Sequence, residues 1–140
     1  MIKRAVIAFV TFIFIFALTD TVFAENDFSW KWVYADSHSN YYVDTANVRY
    51  TKSHNTVSYW CKIVASNGDE YVVREMIDLN HRMAAVLALS KKKAGEKPEP
   101  RYFGGDLPLY RILKGSLREK EVNVICDELH LPHIEGYDKK

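Results

Sequence analysis

The stretch at residues 56–64 sets the strongest limit on what this chain can fold into. Val57, Tyr59, Cys61 and Ile63 alternate with Ser58, Trp60 and Lys62. Successive side chains of a strand point to opposite faces, so this period of two spells a strand with one apolar face. The same alternation puts Trp30, Trp32 and Tyr34 on one face of an earlier strand, with Lys31, Val33 and Ala35 on the other. Residues 36–40 read as a polar turn and 41–44 as a second strand. Residues 45–47 turn the chain, and 48–51 extend it or pair again. Asn67-Gly68 predicts a type I′ hairpin, whose two central residues take positive φ.

Residues 71–78 and 82–90 read as two further strands. The run of Met83, Ala84, Ala85, Val86, Leu87, Ala88 and Leu89 also has good helix propensity, with Asn80 as a cap and Gly95 as a stop. A helical reading of 69–94 therefore stays open beside the favoured strands. Residues 91–100 form a charged loop punctuated by Gly95, Pro98 and Pro100, and 107–113 form the last strand. Ser116 and Glu119 make a capping box. Val122, Ile125, Cys126 and Leu129 then share one helical face. The expected fold is α+β: an antiparallel sheet of about six strands with a C-terminal α-helix packed on one face.

The first residues say where such a domain works. Lys3 and Arg4 form a basic start, residues 5–18 are apolar, and Val22, Phe23 and Ala24 precede a cut after Ala24. That order is a secretory signal peptide. The apolar run is short of the about 20 residues that span a bilayer, so no transmembrane span is expected in the mature chain. Residues 1–24 are read as the cleaved signal and 25–140 as one domain, secreted, periplasmic or associated with the cell envelope. The cleavage site carries no cysteine, so lipid anchoring is not expected. Removing Lys3, Arg4 and Asp20 from 19 basic and 18 acidic residues leaves 17 of each. A balanced surface argues against nucleic-acid binding, which needs excess positive charge against phosphates.

Two cysteines, Cys61 and Cys126, lie in the mature part. An even count in an exported chain points to a disulfide. Cys61 lies on the apolar face of a strand and Cys126 on that of the helix, so a sheet-to-helix bond is expected.

The pattern resembles the surface-adhesin protein E family of small exported bacterial proteins. The resemblance rests on Trp30-Lys31-Trp32-Val33, Tyr41-Tyr42-Val43-Asp44 and Val57-Ser58-Tyr59-Trp60-Cys61-Lys62. Near the other end it rests on Lys114-Gly115-Ser116-Leu117-Arg118-Glu119 and Ile125-Cys126. It implies a sheet crossed by a C-terminal helix, a helix-to-sheet disulfide, and binding of proteins outside the cell. It brings no catalytic motif and no site residue.

Candidate chemistry is sparse. Asp127, His130 and His133 are the best metal set by residue type, but Leu131-Pro132 should end the helix before the two His converge. A polar tail is the expected reading, with no metal and no cofactor. His38, His54 and His81 read as surface residues, and Asp44 as a turn former at a strand end. No sequence pattern pairs a nucleophile with a base. Lys91, Lys92, Lys93 and Lys97 could contact an anionic ligand from a hairpin tip. Trp30, Trp32 and Tyr34 could form an exposed platform, though an aromatic stripe is more often core. The expected function is a non-catalytic, adhesin-like binding module that engages an extracellular or envelope protein or polymer. An envelope accessory protein acting by protein contacts is the alternative, and a small extracytoplasmic enzyme comes third.

Overall fold

The computed structural model describes residues 27–102 and 109–140. The expected signal peptide and its cleavage site lie outside the described residues. The strands are β1 (Trp30–Ala35), β2 (Ser39–Asp44), β3 (Arg49–Thr51), β4 (Thr56–Ala65), β5 (Glu70–Asp78), β6 (Met83–Lys92), β7 (Glu99–Tyr102) and β8 (Tyr110–Arg111). One helix, α1 (Leu117–Glu128), follows them. All strand pairs are antiparallel, in the order β1-β2-β4-β5-β6-β7. Two short strands complete the sheet. β3 shares an edge of β4 with β2, and β8 shares an edge of β6 with β7. The α+β expectation is met, with a sheet six strands wide. Among the described residues no helix is long and apolar enough to cross a membrane.

The alternation of β4 sorts the two faces. Val57, Tyr59 and Cys61 are buried with Val43, Val73, Ile77, Ala84 and Ile112 against Val122, Ile125 and Cys126 of α1. Residues 69–94 are strands, so the helical alternative is not taken. Met83 to Leu89 pairs residue by residue with β5 apart from a bulge, and tertiary pairing overrides the propensity of its alanines. Ala84 and Ala85 are fully buried there.

Four local expectations are corrected. Asn67 does not take positive φ; Gly68 alone does, at 89°, and the Gly68 N–H donates to Ala65 O at 3.0 Å. The loop is therefore a three-residue turn with a left-handed glycine. The charged loop at 91–100 is shorter than read, because β6 runs to Lys92 and Glu99 starts β7. Pro100 is tolerated there since β7 is an edge strand. Within the expected strand at 107–113, only Tyr110–Arg111 pairs as a strand among the described residues. The aromatic stripe of β1 is split by a bulge between Trp32 and Tyr34. Trp30 and Trp32 stay on the face opposite α1, while Tyr34 turns under the helix, where Lys120 Nζ lies 4.2 Å from its ring centre.

The helix begins as its capping residues direct. Ser116 Oγ accepts from the Glu119 N–H at 3.2 Å. Glu119 reaches back past the cap residue: its carboxylate accepts from Gly115 N–H at 3.1 Å and from Gly136 N–H at 2.6 Å. At the other end His130 takes φ 56°, and the His130 and Leu131 N–H groups return to Asp127 O and Cys126 O. That is a Schellman ending. The tail is docked. Tyr137 N–H donates to Ile112 O and accepts at its own carbonyl from Lys114 N–H, both at 2.8 Å. Gly136 permits this approach, since a Cβ there would meet the Leu113 carbonyl carbon at 2.5 Å.

The expected Cys61–Cys126 disulfide is not formed. Both cysteines are free, buried and apart. The periodicities gave each residue its inward face but not its height along the helix. Cys61 lies beneath Glu121, its sulfur within 4.8 Å of the carboxylate. Cys126 lies five residues farther along, about 7.5 Å down the axis and about 140° around it, beyond the roughly 3.8 Å between Cβ atoms that a disulfide requires.

Candidate functional site

Where α1 crosses β4 and β5, the core is polar. Tyr59 and Glu75 are direct cross-strand neighbours, and Cys61 is two residues along on the same face. Arg118 and Glu121 reach down from the first two turns of the helix. Glu75 is 1% exposed and Glu121 2%, so both carboxyls are effectively out of water. Arg118 pairs with Glu75, and its Nη1 lies 3.5 Å from Glu121 Oε2. The Tyr59 hydroxyl is 3.4 Å from a carboxyl oxygen of each glutamate. Cys61 Sγ donates to Glu75 Oε1 at 3.7 Å. Tyr110 closes the outer side, with the Arg118 guanidinium 5.5 Å from its ring centre.

Burial dominates the titration of this cluster. It pushes the Glu121 carboxyl up to about 7, against the opposing pull of Arg118 and the Tyr59 hydroxyl. Burial first, and Glu121 second, hold the Cys61 thiol and the Tyr59 hydroxyl well above their ordinary values. Burial, with Cys61 and Glu121, raises Tyr110 to about 12. Cys61, Glu75 and Glu121 bring donor atoms within 4.8 Å of one another. The cation among them is the Arg118 side chain itself, so these residues form an internal ion network. A thiol held neutral is a poor nucleophile.

The opposite face of the sheet is open and aromatic. Trp32, Tyr42 and Lys62 stand in one cross-strand row. Lys62 Nζ lies 4.7 Å from the Trp30 ring centre and 5.1 Å from that of Tyr42. Phe28 stacks on Trp30 at 4.8 Å. Trp60, deeper in this face, is 1% exposed beneath Phe28 and the Arg74 guanidinium. Trp32 is 56% exposed. Its indole N–H donates to Asn40 Oδ1 at 3.3 Å, which orients the ring while leaving it in solvent.

The remaining predicted residues scatter. Lys91 and Lys92 end β6 on opposite faces: Lys91 sits opposite Tyr71 and Glu99, Lys92 opposite Glu70. Lys91, with Lys93 and Lys97 of the following turn, is interleaved with Glu96 and Glu99 around a shallow depression. The four positive charges therefore do not form a single-signed patch. Asp127 Oδ1 and His133 Nε2 are 2.6 Å apart on the surface. His130 is absorbed in the helix ending. His81 pairs with Asp78 at 2.7 Å and His54 with Ser53 at 2.9 Å. Asp44 is fully buried as a turn former. Its carboxylate accepts from the N–H groups of Ser29, Ala46 and Asn47 at 2.7, 3.1 and 3.0 Å.

Sequence reasoning missed the Glu75–Arg118–Glu121 network. The signal was present: Glu75 falls between Val73 and Ile77 on the inward face of β5. Glu121 stands four residues before Ile125, on the buried helical stripe. A charge at an inward position asks for a partner.

No family model matches the chain, and no curated protein or solved structure matches it.

Proposed function

We propose that residues 25–140 form an exported, non-catalytic binding module of adhesin type. It engages an extracellular or envelope protein or polymer through the open face of its sheet. The observation that carries this reading is Trp32, a ring more than half exposed whose N–H is already satisfied. Around it, Tyr42, Trp30 and Lys62 hold one another in place, so the platform loses little side-chain freedom when a ligand settles on it. Exposed aromatic rings of this kind are frequent anchors of binding surfaces. The aromatic face is favoured over the lysine hairpin because acidic residues interrupt the hairpin's charge.

The test compares wild type with Trp32→Ser, both collected from an exporting host, with an N-terminus expected at Glu25. Each is passed over immobilised envelope and extracellular-matrix fractions. Affinity should fall at least about tenfold in the variant, the loss of a typical hot-spot residue. Its melting temperature should hardly change, because exposed substitutions usually shift stability by less than about 0.5 kcal/mol. Equal retention of both proteins would remove Trp32 from the site. Replacing Lys91, Lys92 and Lys93 by serine then asks whether the hairpin binds instead.

A further inference from the structure

The cluster beneath α1 holds two carboxyl groups and one guanidinium. The Tyr59 hydroxyl lies 3.4 Å from both carboxyls. A hydroxyl has a single proton to donate. If it donates to one glutamate, the other approach is a hydrogen bond only when that glutamate carries a proton and donates to the tyrosine oxygen. The remaining donors say which glutamate is ionised. Arg118 makes its nearer contact with Glu75, to which the Cys61 thiol also donates, and reaches Glu121 only at 3.5 Å. Glu121 is the one left to hold the proton. Charge counting agrees, since one guanidinium balances one buried carboxylate and a second would stand uncompensated at 2% exposure.

We propose that Glu75, Glu121, Tyr59 and Arg118 form a proton-operated clasp that holds α1 to the sheet. With one proton on Glu121 the network is neutral and every close approach is a hydrogen bond. Loss of that proton places two carboxylates around one guanidinium and loosens the first half of the helix. The groups facing Glu121 are Tyr59 and Cys61 from β4, Glu75 from β5, Arg118 from α1, Tyr110 from β8 and Tyr41 from β2. The Tyr41 hydroxyl is raised chiefly by burial and by its bond to Asp36, with Glu121 adding to it. Arg118 is the only cation among them.

The direction of the effect follows from the Glu121 carboxyl, raised by burial from an ordinary 4.5 to about 7. Between those values the folded chain keeps a proton that the unfolded chain has released. The clasp therefore contributes fully below about pH 4.5, weakens as pH rises, and is lost above about pH 7.

Urea unfolding of the purified protein at about pH 5 and about pH 8 tests this, beside E121Q. Glutamine stays neutral and can donate to Tyr59 at every pH. The wild-type unfolding constant should rise about a hundredfold more than that of E121Q across this range. Parallel curves for the two proteins would overturn the proposal. Should E121Q fail to fold, a carboxyl-carbon NMR titration of wild type decides. One glutamate titrating near neutrality supports the clasp, and all glutamates titrating in the ordinary carboxylate range overturns it. Hydrogen exchange separates the clasp from a merely shifted acid. Exchange in Leu117–Val122, relative to that in Tyr59–Ile63, should increase from about pH 6 to about pH 8. A constant ratio would refute the loosening of the helix.

Discussion

The two faces of β4 solve the same burial problem in opposite ways. On the helix side, Tyr59 and Cys61 are sealed beneath α1 and share their space with charges that must neutralise one another. On the open side, Trp60 is sealed just as completely, but by side chains of its own face: Phe28 against its edge and Arg74 over its ring. The covered face depends on an ion network whose two carboxyls are out of water and whose guanidinium, that of Arg118, lies at its edge. The open face depends on rings and cations that keep one side in solvent. The contrast teaches that low exposure alone does not separate a structural face from a recognition face. What separates them is whether the polar groups are closed among themselves or left facing outward.

Removing Arg118 should break the covered face most severely. Arg118→Ala leaves Glu75 buried without its cation, and breaking a buried pair this way costs about 3–5 kcal/mol. Differential scanning calorimetry should show a fall in melting temperature of more than about 10 °C. A loss below about 1 kcal/mol would mean that water reaches Glu75. On the open face the corresponding change is far milder. Lys62→Ala removes a cation from two rings and should cost about 0.5–1 kcal/mol, read as a small shift of the urea midpoint. A loss as large as that of Arg118 would erase the distinction between the faces. The smallest effect is a null one. Reductant should leave the melting temperature unchanged, because Cys61 and Cys126 are already thiols. A thiol assay should find two reactive groups in denaturant and almost none in the folded protein. One oxidised pair in denaturant would restore the sheet-to-helix bond and require the helix to sit lower on the sheet.

The same two faces show what could be read from the residues beforehand. Alternation in β4 and β5 was legible because these two strands pair with each other in one unbroken register from Thr56 opposite Asp78 to Val64 opposite Glu70. The helix start was legible because Ser116 and Glu119 act locally, although the glutamate's second partner, Gly136, belongs to a distant segment. Bulges are not legible in this way. One extra residue at Val33 reverses the faces that follow, and nothing in Trp-Lys-Trp-Val-Tyr marks the place. The cysteine pairing failed for a related reason, since periodicity assigns a face and leaves the position along the element undetermined. The clasp was visible only as an anomaly, a glutamate on an apolar face, and its meaning required the helix to be laid across it. Trp32 was among the aromatic residues singled out at the start, but its exposure depends on β1 being an outer strand.

The unequal strand lengths have a consequence for the order of assembly. β4, β5 and β6 follow one another along the chain, joined by loops of at most four residues. Closing such short loops costs little chain entropy, so this central meander is suited to form early and to serve as a template. β3 and β8 dock later on the vacant halves of the outer edges of β4 and β6, each held by a few backbone bonds. The strap at Tyr137 must wait longest, since its partner carbonyl at Ile112 is placed only once β8 has docked. The chain is thus built from its middle outward, and its last residues lock a structure whose centre is already in place.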